Sequence, residues 1–311
     1  VDYRHDLIIK LYDALIKNGF NVSEPDLYGL VTFDLICRRN DEKYIIKVLY
    51  NIDTFSRLSI SSLMAMASVT KSSIIVIGEK SGSGRLEDGI LYYRHHIPIM
   101  SFKTFIDYIN GESPYIYSAP GGYYVSIDGD KMRRIRELKG YSVGYLSSKL
   151  GISRRSISLY ESGSSATIDI YLKLEETLGE DLTKDIDIRN EKYDYNIKDD
   201  IKDVFIRETF QMLSALGYSY EYIKKSPFDG FSYDPETMFM LGIFNNYMEN
   251  ERIISIKKIS QVLNNIPLII QKEYTEKENI YGCPVVSISE LRSMGSMYAF
   301  KKLVEKRYSY D

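Results

Sequence analysis

Tryptophan is absent from this 311-residue chain, cysteine occurs twice and histidine three times. Cys37 and Cys283 are far apart and have no neighbours at metal-ligand spacing. That excludes a disulfide framework, and the expectation is two buried thiols in a reducing compartment. Three histidines are too few to build a metal site easily. His95 and His96 lie beside an apolar strand start, and adjacent strand residues point to opposite faces, so the pair cannot readily ligate one ion. No metal and no cofactor are expected. No apolar run approaches the roughly 20 residues needed to span a bilayer, which excludes a membrane helix. The first ten residues, VDYRHDLIIK, mix charge with apolar residues, unlike a signal peptide, and a cytoplasmic protein is expected. The loop Ser81-Gly82-Ser83-Gly84-Arg85 lacks the Lys-Ser/Thr of a phosphate-binding P-loop and reads as a connection between strands.

What remains is a globular composition, 44% hydrophobic and 27% charged, long enough for two or three domains with their own cores. Charge is unevenly spread. The chain carries a net −3, yet between Lys131 and Gly163 eight Lys or Arg face only Glu137 and Glu161. A basic segment inside an acidic chain points to a local polyanion-binding role.

That segment, DKMRRIRELKGYSVGYLSSKLGISRRSISLYESG, resolves into three short helices. Met132, Ile135 and Leu138 recur on one face of the first, Asp128 would cap it and Gly140 would end it. The second starts at the N-cap Ser142 and runs through Val143, Leu146 and Leu150 to Gly151. The third, capped by Ser153, turns Ile157 and Tyr160 inward and leaves Arg154, Arg155, Ser158 and Leu159 on the opposite face. The run Leu146-Ser147-Ser148-Lys149-Leu150-Gly151-Ile152-Ser153 with Ile157, Tyr160-Glu161 and Gly163 resembles the lambda-repressor/Cro-like helix-turn-helix family. The resemblance implies a recognition helix in the major groove of double-stranded DNA. Arg154 and Arg155 would reach base edges, Leu159 would face the groove, and Ser153 and Ser156 would contact phosphate, with Ser142 and Ser158 in the same DNA-binding set. It also implies a structural ion pair between Arg136 and Glu161. Two departures stand out: Val143 replaces a usual glutamine, and Ser147 a usual buried alanine.

The flanking segments repeat one another. Residues 5–19 carry Leu7, Ile8, Leu11, Leu15 and Ile16 at helical spacing and end in Gly19-Phe20. Residues 201–217 carry Val204, Phe205, Met212, Leu213 and Leu216 and end in Gly217-Tyr218. TFDLICRRNDEKYIIKVLYN and PFDGFSYDPETMFMLGIFNN then follow, with turn signals at Asn40-Asp41 and Asp234-Pro235. A helix, a buried strand (Ser73 to Ile77; Pro267 to Ile270) and a strand-to-helix unit (Pro98 to Ser101; Pro284 to Ser287) close each copy. This order resembles the restriction-endonuclease-like fold, particularly archaeal Holliday-junction resolvase relatives. There an Asp and a Glu-x-Lys strand hold a divalent ion and activate water. The first copy keeps Asp34 and Lys47 but has Ile45 at the glutamate position. The second keeps Asp229, with Met240 and Gly242 at the other two. Both copies are therefore expected to be degenerate, with no catalytic residues.

Taken whole, the chain resembles a family of archaeal helix-turn-helix transcriptional regulators. The resulting expectation is a multidomain α/β plus all-α protein: residues 1–116 a nuclease-like α/β domain, 117–188 a central lambda-repressor-like bundle, and 198–311 a second nuclease-like domain, joined by a charged linker over 189–200. Its function would be sequence-specific, non-enzymatic DNA binding as a homodimer, with no effector identifiable. A DNA-targeted nuclease recruiting Asp6, Asp13 or Glu24, and an antitoxin-like interaction scaffold, are the alternatives.

Overall fold

The computed structural model describes residues 3–25, 32–55, 57–189, 193, 200–246 and 248–308, with backbone only at 57–59. Apart from residues 189, 193 and 200, the expected second linker lies outside the described residues.

In chain order the first elements are α1 (Tyr3–Lys17), β1 (Asn21–Val22), β2 (Leu35–Arg39), β3 (Glu42–Asn51), a 3-10 turn (Ile52–Thr54), α2 (Arg57–Thr70) and β4 (Ser73–Ser81). Next come β5 (Gly84–Arg85), β6 (Ile90–Arg94), β7 (Ile97–Met100), α3 (Phe102–Ile109), β8 (Ile116–Ala119) and β9 (Gly122–Val125). The basic segment forms α4 (Gly129–Leu138), α5 (Val143–Leu150) and α6 (Arg154–Glu161), followed by β10 (Ala166–Thr167) and α7 (Ile168–Leu178). The C-terminal part holds α8 (Val204–Ala215), β11 (Ser219–Tyr222), β12 (Gly230–Tyr233), β13 (Met238–Phe244), α9 (Asn250–Leu263), β14 (Ile266–Gln271), β15 (Asn279–Ile280), β16 (Cys283–Ser287), α10 (Ile288–Ser293) and α11 (Met297–Arg307).

The chain gathers into two compact units, one made of Val1–Val48, Thr54–Ile75 and Glu191–Asp311, the other of Leu49–Asp53 and Val76–Asn190. Contact density thus divides the chain differently from the sequence repeat.

The two repeats share strand registers, and this is the fold's most informative feature. Leu35 pairs with Ile46 across β2 and β3, and Gly230 with Leu241 across β12 and β13. One residue earlier, Asp34 N donates to Ile46 O at 2.8 Å and Asp229 N to Leu241 O at 2.7 Å. Val76 pairs in parallel with Ile99, and Ile269 with Val285. Ser101 and Ser287 then cap the next helix in each copy, accepting from Thr104 N and Glu290 N. His95 and His96 do not sit on a strand: they are the two residues of the β6–β7 turn, at φ +53° and +65°, where the second repeat has Tyr281 and Gly282 at +52° and +82°. Positive φ at both positions is the signature of a two-residue type I′ hairpin turn, so β6 ends at Arg94 and β7 begins at Ile97.

Within the first unit the repeats pack reciprocally, α9 on β2 and α2 on β11. Phe33 stacks on Phe228 with centroids 6.2 Å apart, Thr32 N donates to Lys225 O at 2.9 Å, and Lys258 pairs with Glu24. In α1, Leu7, Ile8, Leu11 and Leu15 are buried but Ile16 is 47% exposed. At about 100° per residue it falls beyond the buried stripe. Val204, at the start of α8, is also exposed.

In the second unit, β7, β6, β8, β9 and β10 are neighbours in one sheet, with β6 joined to β8 in parallel through Ile90↔Ile116 and Leu91↔Tyr117. The helices α4 to α7 share a core of Met132, Leu146, Leu150, Ile157, Tyr171, Leu174 and Leu178 with Val125, Ile127 and Ala166 of the sheet region. The helical bundle is therefore anchored on strands rather than tethered beside them. Among the described residues no helix is long and apolar enough to cross a membrane.

Candidate nucleic-acid interface

Local chemistry sets the ends of the three basic helices. Asp128 accepts from Lys131 N at 2.9 Å, Ser142 from Tyr145 N at 3.0 Å and Ser153 from Ser156 N at 3.0 Å, each satisfying one of the amides a helix start leaves open. Gly140 and Gly151, at φ +69° and +68°, take the left-handed conformation that ends α4 and α5. In α6, Ile157 is fully buried, whereas Arg154, Arg155, Ser158 and Leu159 are exposed. The hydroxyls of Ser153 and Ser156 stand 2.8 Å apart, and that of Ser158 donates to Arg154 O at 3.2 Å. Ser147 is buried and donates to Gly144 O at 3.0 Å, which satisfies its hydroxyl inside the bundle.

α4 does not present the face that apolar spacing suggests. Met132 is buried, but Leu138 is 82% exposed. The inward position is taken by Arg136, whose Nε and Nη2 both donate to Glu161 of α6, with Nη2 at 3.3 Å from Oε2. Nη1 donates to Tyr141 O at 2.8 Å, so the guanidinium ties α4 to α6 and to the turn before α5. The hydrogen bond to Glu161 holds Arg136 above its ordinary pKa, against the opposing effect of burial. Arg133 adds a third donor, 3.4 Å from Glu161 Oε2. The one carboxylate of α6 is thereby turned inward and neutralised.

Arg154 does not share the face of Arg155 and Leu159, contrary to the expectation from the sequence: at about 100° per residue it falls beside the buried Glu161, on the side towards α5. A Cβ placed on Gly144 of α5 would stand 3.0 Å from its Nη2 and 3.2 Å from Cζ and Nε, so the guanidinium lies flat across the glycine.

In the first repeat Asp34 is 1% exposed. One carboxylate oxygen accepts from Arg4 and faces Lys47 Nζ at 3.4 Å; the other accepts from Val48 N at 2.6 Å. In the second repeat Asp229 accepts from Ile243 N at 2.6 Å and from Arg252 at 2.6 Å. Burial pushes the Asp229 carboxyl above the usual carboxylate range, and Arg252 and the amide pull against it. Ile45 and Met240 are fully buried and supply no oxygen. Asp6 and Asp13 are exposed on α1, and Glu24 is occupied by Lys258. A Mg²⁺ ion takes six oxygens, with one or two carboxylates beside its waters, and here the single carboxylate of each copy is already held by an arginine and an amide, so these residues do not fit one. Among the described residues no group of three or more His, Cys, Asp or Glu comes together. The arginine partners Arg4 and Arg252 come from outside the Asp and Lys strands and carry no motif.

This arrangement defines a helix-turn-helix protein that also carries a nuclease-type α/β fold. Residues 4–114 match the PD-(D/E)XK superfamily domain, and residues 132–184 match a helix-turn-helix family. A protein of Thermoplasma acidophilum named as an HTH-type transcriptional regulatory protein is 42% identical over 98% of this chain and 99% of its own. A relative of the same name from Thermoplasma volcanium is also 42% identical over 98% and 99%, and one from Methanocaldococcus jannaschii is 32% identical over 94% and 93%. The chain belongs to this archaeal family of HTH-type transcriptional regulatory proteins. No solved structure matches it.

Proposed function

We propose that the protein is a cytoplasmic, sequence-specific regulator that inserts α6 into the major groove of double-stranded DNA. One observation carries the reading. α6 exposes Arg154, Arg155, Ser158 and Leu159 while its sole carboxylate is buried against Arg136, so nothing on the exposed face repels phosphate. Ser142, Ser153 and Ser156 complete the contact set. A homodimer would place two recognition helices about one DNA turn apart, which a half-site reader requires. The three domains would be 1–116, 117–188 and 198–311, the outer two being degenerate copies of one nuclease-like fold.

Selection from a random duplex pool tests the reading, and enrichment of no sequence would remove it. On the selected site, Arg155→Ala is expected to cost about 1–3 kcal/mol and to relax the preference at one base position, because arginine donates two hydrogen bonds to guanine O6 and N7. Binding equal to the parent would sink the recognition-helix assignment.

Neither outer domain hydrolyses DNA in this reading. Asp34 is committed to Arg4, Lys47 and an amide, Asp229 to Arg252 and an amide, and Ile45 and Met240 offer a metal no oxygen. Purified protein with Mg²⁺ or Mn²⁺ should leave linear, nicked and four-way-junction DNA intact. Cleavage that disappears on Asp34→Ala would establish a working nuclease.

A further inference from the structure

We infer that Arg154 and Arg155, adjacent in α6, do different work on DNA: Arg154 grips a phosphate at the groove wall from a seat on Gly144, and Arg155 alone reads a base edge. The inference rests on the DNA-binding reading and refines it. Successive helix residues turn by about 100°, so the directions around α6 follow from which residues are buried. Ile157 and Glu161 mark the buried side. Arg155 and Leu159 then lie opposite it, at the centre of the exposed face. Arg154 lies on the flank, next to Glu161's direction and towards α5. A helix lying in the major groove points the centre of its exposed face at the base edges and its flanks at the sugar-phosphate walls.

The side chain of Arg154 follows its flank position. Its guanidinium is laid across the first turn of α5, where a Cβ at residue 144 would crowd it at 3.0–3.2 Å, closer than ordinary van der Waals contact. Gly144 is the second residue of α5, where no left-handed turn calls for glycine, so what the position offers here is room. Arg154 makes no ion pair among the described residues, while Arg133 and Arg136 are both committed to Glu161. It is an unpaired, pre-oriented cation beside the amides of a helix start, and a phosphate oxygen is the anion that DNA brings there.

Phosphate contact and base contact separate experimentally. Titrations of the full-length parent, Arg154→Ala, Arg154→Lys, Gly144→Ala and the Arg154→Ala/Gly144→Ala double variant would be run at several salt concentrations. Each would use the selected duplex and an unrelated duplex. Arg154→Ala is expected to weaken both duplexes by the same factor, about tenfold. It should also lower the slope of log K against log salt by about 1 while the base preference stays unchanged. Arg154→Lys keeps the charge and should restore the slope. Gly144→Ala should weaken both duplexes while its melting temperature equals or exceeds the parent's, because the added methyl displaces only a flexible side chain. The double variant should bind like Arg154→Ala alone. Loss confined to one base position with an unchanged salt slope, or parent-like binding by Gly144→Ala, would overturn the division of labour. If the parent binds neither duplex, the DNA-binding reading falls and this inference with it.

Discussion

Replacing Glu161 with alanine is expected to destabilise the helical bundle by about 3–5 kcal/mol, the cost of leaving a buried charge without its partner. The side chains of Arg136 and Glu161 are only 10% and 5% exposed, so solvent screening discounts little of that figure. Loss of Glu161 strands the Arg136 guanidinium with Tyr141 O as its main remaining acceptor, since Glu137, 3.4 Å away, is largely in solvent. It also releases Arg133, whose side chain is 51% exposed and whose own removal should cost no more than about 1 kcal/mol. Urea unfolding followed by hydrogen exchange at the α4 and α6 amides would read the difference within the intact chain. Replacing both partners, as Arg136→Met with Glu161→Leu, should recover most of the loss, because an apolar pair of similar volume avoids the desolvation of two charges. A Glu161→Ala protein within about 0.5 kcal/mol of the parent would show that the pair contributes no net stability.

Gly230→Ala is expected to cost about 3 kcal/mol or more, through a clash that no side-chain rotation can relieve. The added Cβ would meet the backbone oxygen of Glu221 at 2.1 Å and Phe210 Cζ at 2.9 Å, at a residue with φ of +156°. The obstacle is the neighbouring strand β11 itself. The equivalent residue in the first repeat is Leu35, fully buried and not at positive φ, so the two copies hold the same register with different backbone conformations at this position. Gly295→Ala is the control, since nothing lies within 4 Å of its Cβ position and it should change stability little. Urea midpoints of the two variants decide the matter: equal midpoints would mean that β11 shifts freely.

Both effects arise where one element presses against another, and that divides what was legible in the sequence from what was not. The helix starts at Asp128, Ser142 and Ser153 and the stops at Gly140 and Gly151 were readable because a cap acts over three residues and left-handed φ is a property of one. The repeat was readable from Phe33-Asp34 and Phe228-Asp229, and from the serines that close each strand-to-helix unit. That Ile45 and Met240 offer a metal no oxygen was equally readable, because chemistry missing from a side chain is missing in any fold.

Tertiary structure alone decided the rest. Leu138 looked apolar and inward, yet Arg136 takes the inward place because Glu161, remote in sequence, compensates its charge there. Arg4 and Arg252 reach Asp34 and Asp229 from other elements, and no local pattern announces such a partner. The parallel joining of β6 to β8 and the reciprocal packing of the repeats depend on long-range pairing. The seat of Arg154 on Gly144 spans the turn between two helices and exists only once they are packed. Local propensities and side-chain chemistry are written residue by residue. The partner of a buried charge, the facing of a strand and the room beside a glycine are properties of pairs, which only the folded chain brings together.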